Sequence, residues 1–434
     1  MSTYPARLSG RLHQRREKIG REPVLAVRRF IRVTEIGGWP LLVATVAALI
    51  WANVWPAHYE AFWHTALTFD AEVFRLQRSA HHWVNDALLP LLFFVAGLEI
   101  KRELLDGELT GWSRAAFPVV TAVGGMVVPA LIFVVINVHG GHARAWGIPV
   151  ATDIAFLLMV LSLLGDRIPS QLKILALAFA LVDDIGGVLI IAFAYSHSIQ
   201  WAALVLAAVA LAAMIALLAL RVRNALVHVP LGLLFWLAML ESGVHTTIAG
   251  AVLGAVVPAR PLFERAEFRD RARKLLERFE RARSKRQDAE AETTTVIEQE
   301  DAALGAIEEL ARGTESALDR WVTRINPCVS YIVLPVFALA NAGIVLSADS
   351  VGQMATSRLG WGIFAGLVLG KPIGFLLAAF AATRLGLTDR PDALSWRQLT
   401  GLALASGIGF TVSLFIAEQA FASGGSAALL SAKT

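Results

Sequence analysis

Residues 172–195 read Leu172-Lys-Ile-Leu-Ala-Leu-Ala-Phe-Ala-Leu-Val-Asp-Asp-Ile-Gly-Gly-Val-Leu-Ile-Ile-Ala-Phe-Ala-Tyr195, an apolar run with two adjacent carboxylates, Asp183 and Asp184, near its middle. A helix needs about 20 such residues to cross roughly 30 Å of hydrocarbon, and this run has them. It shows no period-2 alternation, so it reads as a helix and not as a barrel strand. Leu41–Val54, Ala115–Val138 and Trp201–Leu220 are further long, almost uncharged runs. The whole chain of 434 residues is 56% hydrophobic and 17% charged, with a mean hydropathy of +0.59. Soluble domains run roughly 45–50% apolar and about 25% charged. The sequence therefore predicts an all-α polytopic membrane protein whose immediate partner is the lipid bilayer, not nucleic acid. Its one cysteine, Cys328, excludes an intrachain disulfide and a Cys-based metal site.

Hydropathy places about eleven spans, near 36–55, 84–104, 115–138, 147–164, 172–195, 201–220, 226–241, 244–258, 327–346, 359–383 and 398–420. The chain then divides into a basic tail 1–34, spans one to eight within 35–258, a charged linker 259–326, spans nine to eleven within 327–420, and a tail 421–434 too short to cross. The first 34 residues hold nine Lys/Arg and precede a run long enough to stay in the membrane, so no cleaved signal peptide is expected. With the N-terminus in the cytoplasm, 33 Lys/Arg fall on the cytoplasmic side and four on the other. That is the asymmetry of a multi-pass inner-membrane protein with a cytoplasmic N-terminus. The linker carries 14 basic and 15 acidic residues and reads as a cytoplasmic segment, either a solvated helical connection or a regulatory hairpin. Phe268, Leu275, Leu276 and Phe279 are its few apolar positions between 265 and 290.

Charged groups inside spans are costly, about 2.5–3.5 kcal/mol on insertion scales, and persist where they face a polar interior. Here they are Asp153, Asp183, Asp184 and Lys371, with Glu99, Glu241 and Glu418 nearer span ends. Apolar surroundings and a neighbouring negative charge both favour the neutral form of a carboxyl group. A buried Asp-Asp pair can thus hold a proton, and when deprotonated it offers oxygens to a small hard cation. Competition of H⁺ and Na⁺ for one site becomes exchange when the site opens to one side at a time. Pro149 and Thr152-Asp153 interrupt the fourth span, and Gly407-Ile-Gly-Phe-Thr-Val-Ser413 interrupts the eleventh. Interrupted spans in corresponding halves mark a midplane binding site, with half-helix ends that charges such as Asp153 and Lys371 would balance. Close helix packing explains the glycines equally well. Glu99 and Glu103 read either as interface anchors or as pH-responsive groups, and His245 either as a packing residue or as a titrating switch. Asp86 opens the second span on the far side, beside a candidate ion route.

These stretches together resemble the NhaA family of bacterial Na⁺/H⁺ antiporters. The resemblance rests on Asn85-Asp86, Gly97-Leu-Glu-Ile-Lys-Arg-Glu-Leu104, Ala151-Thr-Asp-Ile-Ala-Phe156, Val182-Asp-Asp-Ile-Gly186, Ser242–Gly250, Leu334–Gly343, Gly370-Lys-Pro-Ile-Gly374 and Gly407–Ser413. They occur in family order across most of 35–258 and 327–420. The resemblance implies an inverted-repeat fold with discontinuous fourth and eleventh helices. It also implies that Asp184 and Asp183 bind Na⁺ or Li⁺ and protons, while Asp153, Thr152 and Lys371 balance the crossing of the broken helices, with Lys371 also a partner for Asp183. Glu99 and Glu103 match positions linked to pH response. The implied activity is electrogenic export of Na⁺ or Li⁺ in exchange for H⁺ by alternating access, without a cofactor, for sodium and pH homeostasis. The expected protein is a transporter and not an enzyme, and a homodimer is compatible with it.

Three departures from the family pattern stand out. The linker 259–326 replaces a short loop, Asn326 stands before Pro327 where the family often has a histidine, and the twelfth family helix is expected to be missing, with 421–434 as its remnant. Competing readings are an uncoupled cation pathway, an inactive truncated transporter, and an intramembrane aspartyl protease built on Asp153 and Asp183. The protease lacks its Gly-x-Gly-Asp pattern and would leave Lys371 without a role.

Overall fold

The computed structural model describes residues 21–71, 74–107, 109–139, 142–195, 199–220, 222, 224–261, 265–288, 301–307, 310, 313–347, 352, 356–391 and 394–421. The tail before residue 21 and the expected remnant 421–434, apart from Phe421, lie outside the described residues. The chain forms two compact units, one of residues 1–255 with 325–434 and one of 256–324.

The larger unit is a bundle of apolar helices. Helix α1 (Arg21–Val54) sets the pattern: Trp39, Val43, Val46, Ile50 and Val54 form an outward stripe, while Leu41, Ala44, Ala48 and Ala52 turn inward. Apart from Leu41, large apolar residues face outward and small ones face inward, as expected where lipid replaces water as solvent. A short α2 (Pro56–His64) leads to an antiparallel hairpin of β1 (Ala66–Ala71) and β2 (Phe74–Ser79), paired Ala66 to Ser79 through Ala71 to Phe74. This hairpin departs from the all-α expectation. Its six-residue strands lie between apolar runs and are too short to stand out as a period-2 pattern.

Helix α3 (Ala80–Asp106) follows, then α4 (Trp112–Asn137), a 3-10 turn Ala143–Val150, α5 (Ile154–Leu163), α6 (Ser170–Ala194), α7 (Trp201–Ala219), α8 (Ala225–Glu241) and α9 (Thr246–Val256). Later in the chain come α11 (Ala317–Asn341), α12 (Arg358–Arg384), α13 (Trp396–Ala405) and α14 (Phe410–Phe421). By length and composition eight helices among the described residues are able to cross a membrane, and α13 with α14 makes a ninth span bent by 44°. α8 and α9, of 17 and 11 residues, are apolar but shorter. α1, α3 and α11 begin upstream of the hydropathy windows, because helical hydrogen bonding continues past the point where apolar character fades.

Two apolar clusters flank the broken segments. One gathers Phe93, Phe133, Ile148, Phe337 and Phe415, the other Leu157, Phe179, Phe375 and Leu402. α4 and α12 pack backbone to backbone: a Cβ on Gly374 would strike the Gly124 carbonyl, and one on Gly124 the Gly374 carbonyl. That contact carries Lys371, three residues before Gly374, into the protein interior.

The smaller unit contains α10 (Arg265–Asp288), with Phe268, Ala272, Leu275 and Phe279 half-buried on one face and Leu276 50% exposed. Arg281 and Glu277 pair across one turn at 3.9 Å, and Leu318 N donates to Pro258 O at 3.1 Å.

Candidate ion-binding site

The chain stops being helical at Ala151–Asp153 and again between α13 and α14, and the two interruptions cross. Pro149 ends the first segment, since its ring supplies no N–H. Glycine permits the second: a Cβ on Gly409 would crowd the Ala151 carbonyl at 2.6 Å. Asp153 N donates to Ile408 O at 2.8 Å, and Ser413 Oγ donates to Ile148 O at 2.8 Å. Breaking two helices leaves four ends with unmatched backbone groups in the interior, where each must find a partner.

Asp153 serves both N-terminal ends. Its Oδ1 accepts from Phe156 N at 3.0 Å, capping α5, and its Oδ2 accepts from Thr411 N at 3.1 Å and Thr411 Oγ1 at 2.7 Å, capping α14. Negative charge is favoured at helix N-termini, and here two of them share one carboxylate. The opposite ends expose carbonyls. Thr152 Oγ1 donates to Ser406 O at 3.1 Å, and Lys371 Nζ donates to Val150 O. Lys371 Nζ also donates to Asp183 Oδ2 at 2.8 Å, with both side chains fully buried. A buried ammonium needs such a partner, since an unpaired charge in the interior costs several kcal/mol.

Asp184 makes none of these bonds. Adjacent helix positions differ by about 100°, so Asp183 turns to Lys371 while Asp184 turns to a cavity. That cavity is lined by Asp184, Asp153, Thr152, Glu99, Asn326 and Ser330 among apolar side chains. Glu99 is 1% exposed, with Arg102 Nη1 at 3.5 Å from its Oε1. Ser330 Oγ donates to Asn326 Oδ1 at 3.3 Å, so the residue before Pro327 contributes a neutral amide to the cavity.

The geometry thus brings together Asp153, Thr152, Asp183, Asp184, Lys371 and Glu99. It does not bring the remaining candidates to the cavity. Glu103 is buried one turn beyond Glu99. His245 Nε2 lies 3.2 Å from Tyr195 O, its ring edge-on to Phe415 at 5.8 Å. Asp86 lies 3.7 Å from Arg78, and its backbone oxygen accepts from Trp236 Nε1 at 2.8 Å. Among the described residues no three His, Cys, Asp or Glu side chains cluster as a metal-holding group. Thr411 and the Val150 carbonyl were not singled out from the sequence. Thr411 lies inside the quoted Gly407–Ser413 stretch, but nothing local names its partner.

Residues 28–434 match the family described as Na⁺/H⁺ antiporter 1. The chain is 40% identical over 399 residues to Na(+)/H(+) antiporter NhaA 2 of Sorangium cellulosum, covering 92% of this chain and 84% of that protein. It is 41% identical over 396 residues to Na(+)/H(+) antiporter NhaA of Oleidesulfovibrio alaskensis, covering 91% and 86%. The same name and 41% identity hold for a protein of Koribacter versatilis over 397 residues, covering 91% and 85%.

Proposed function

The chain belongs to the Na⁺/H⁺ antiporter 1 family, and on that premise we propose that Asp184 and Asp183 are where its two substrates compete. It is a multi-pass membrane protein that carries out sodium:proton antiport. The observation that carries the assignment is the division of labour within the Asp pair: Asp183 holds Lys371, and Asp184 faces the cavity.

A Na⁺ or Li⁺ ion entering the cavity replaces the proton on Asp184. To gain a second carboxylate it draws Asp183 away from Lys371. The ammonium then loses its counter-charge, a loss of about 3–5 kcal/mol if it stays charged and buried. Proton release from Lys371 relieves that cost, so two protons leave as one cation binds. Exchange by this route moves net charge and is driven by membrane voltage. Asp153 and Thr152 hold the crossed segments, and the break between α13 and α14 supplies the joint at which access alternates. Eleven spans, counting α8, α9 and the bent pair, form the inverted-repeat bundle, and 259–326 is a cytoplasmic segment. The 33-to-4 distribution of Lys/Arg supports an inner-membrane location with a cytoplasmic N-terminus. Outward apolar residues such as Phe193, 86% exposed, and Leu226, 83% exposed, support lipid contact.

Everted membrane vesicles containing a pH-sensitive dye test the assignment. Sodium addition is expected to move protons in the parent and to have no effect in Asp184→Asn. Sodium entry without proton movement would indicate an uncoupled pathway and overturn the reading.

A further inference from the structure

Where α12 ends and α13 begins, two cations and two rings alternate. The Arg384 guanidinium lies over the Phe380 ring at 5.7 Å, and the Arg390 guanidinium over the Trp396 ring at 5.8 Å. The Phe380 and Trp396 rings are 6.2 Å apart. The ladder Arg384, Phe380, Trp396, Arg390 thus ties the last turns of α12 to the first residue of α13. Arg384 closes a 14-residue helical segment that Lys371 opens, so it lies about 20 Å along the axis from the Asp-Asp site.

Two features distinguish these arginines from ordinary interface residues. Among the described residues neither guanidinium forms an ion pair or a hydrogen bond, and a ring holds each in place. A guanidinium held over a ring keeps its N–H donors at its edge, in the fork that fits a phosphate. The second feature is an apolar track leading to them. Ile373, Leu377 and Phe380 are exposed and, with Arg384, recur at helical spacing on one face of α12. Trp396 is exposed at the start of α13. Arg397 beside it is exposed as well, and so is Asp389 beside Arg390. Asp392 lies outside the described residues. Between 384 and 397 arginines outnumber carboxylates three to two.

Unneutralised arginines at the end of an exposed apolar track match the two parts of an anionic phospholipid, a charged phosphate headgroup and its acyl chains. A soluble anion would leave the track uncovered. An apolar protein surface would leave both charges unmatched. We propose that Arg384 and Arg390 form a headgroup site for an anionic phospholipid of the surrounding bilayer, with acyl chains along Ile373, Leu377 and Phe380. In the proposed orientation the site faces the cytoplasmic leaflet, and Trp396 sits at headgroup level, where indole rings are enriched. The site does not depend on the exchange reading.

Native mass spectrometry of the full-length protein in detergent tests this, with phosphatidylglycerol and phosphatidylethanolamine added at equal concentration. The parent is expected to retain phosphatidylglycerol in preference. Arg384→Gln and Arg390→Gln are each expected to lower that preference by about fivefold, the scale of one basic residue near a charged surface. Arg358→Gln, at the opposite end of α12, is expected to keep the parent's preference. Thermal unfolding supplies a second readout: phosphatidylglycerol is expected to raise the parent's midpoint and to leave that of the Arg384→Gln/Arg390→Gln variant unchanged. No preference in the parent, a preference that both single variants keep, or an equal loss in Arg358→Gln would overturn the site. Displacement of the lipid by inorganic phosphate would assign the arginines to a soluble anion and overturn it too. So would a dimer that forms without lipid and is lost in Arg384→Gln, since the face would then belong to a second copy of the chain.

Discussion

Asp153 Oδ2 accepts a hydrogen bond from the Thr411 hydroxyl at 2.7 Å, so one carboxylate closes the N-terminal ends of two half-helices 258 residues apart in sequence.

Asp153→Ala removes both caps at once. A lost cap costs about 1 kcal/mol, and a buried N–H left unmatched about 1–3 kcal/mol. The variant is expected to lose about 2–4 kcal/mol, read as a lower unfolding midpoint in detergent. Asp153→Asn keeps acceptor oxygen and is expected to lose about half as much. Equal midpoints for Ala and Asn would show that the carboxylate oxygens do not cap the helices.

Lys371→Met leaves Asp183 buried without its counter-charge. The expected loss is about 3–5 kcal/mol. Adding Asp183→Asn removes the stranded charge and is expected to restore most of that stability while exchange stays absent. A double variant no more stable than Lys371→Met would rule out the 2.8 Å pair as the source of the loss.

Asp184 supports no helix end, so Asp184→Asn is expected to fold with the parent's midpoint in sodium-free buffer. The difference appears on adding the cation. Sodium at tenfold its dissociation constant is expected to stabilise the parent by about 1.4 kcal/mol, by mass action. The variant is expected to show no shift. A sodium-dependent rise in both would place the cation elsewhere.

Gly374 and Gly401 give opposite expectations for the same change. Gly374→Ala drives a methyl group into the Gly124 carbonyl and is expected to cost about 1–3 kcal/mol, the range for overpacking. Gly401 lies inside α13, where an added methyl group would meet nothing within 4 Å. Gly401→Ala is therefore expected to gain about 0.5–1 kcal/mol from helix propensity. Thermal unfolding of the two variants side by side checks the pair.

Much of the site was legible in the chain itself because the bilayer makes charge conspicuous. Asp183, Asp184, Asp153 and Lys371 stand out where neighbouring residues are Leu, Ala, Val and Ile, and Pro149 and the glycines of 407–409 mark the breaks locally. His81, Asn85, Asn341 and Glu418, which bond one another where α3, α11 and α14 meet, are not connected by anything in the sequence. Each lies near a span end, where polar residues are ordinary, and only their mutual contacts distinguish them. The hairpin and the long starts of α1, α3 and α11 were missed because hydropathy reports lipid exposure, not backbone hydrogen bonding.

The sequence by itself determined the membrane class, the approximate spans, the uneven placement of basic residues and the four charges within spans, because transfer into hydrocarbon is a property of each residue and of its near neighbours. The residues alone do not say which charge meets which; the family resemblance implies Lys371 with Asp183, and the tertiary structure supplies the geometry that makes the pair. Asp183 and Asp184 are chemically identical neighbours. A rotation of about 100° between adjacent helix positions gives one to Lys371 and the other to the cavity. That outcome depends on α12 lying close enough to α4, through Gly124 and Gly374, to bring an ammonium within 2.8 Å of one carboxylate and not the other.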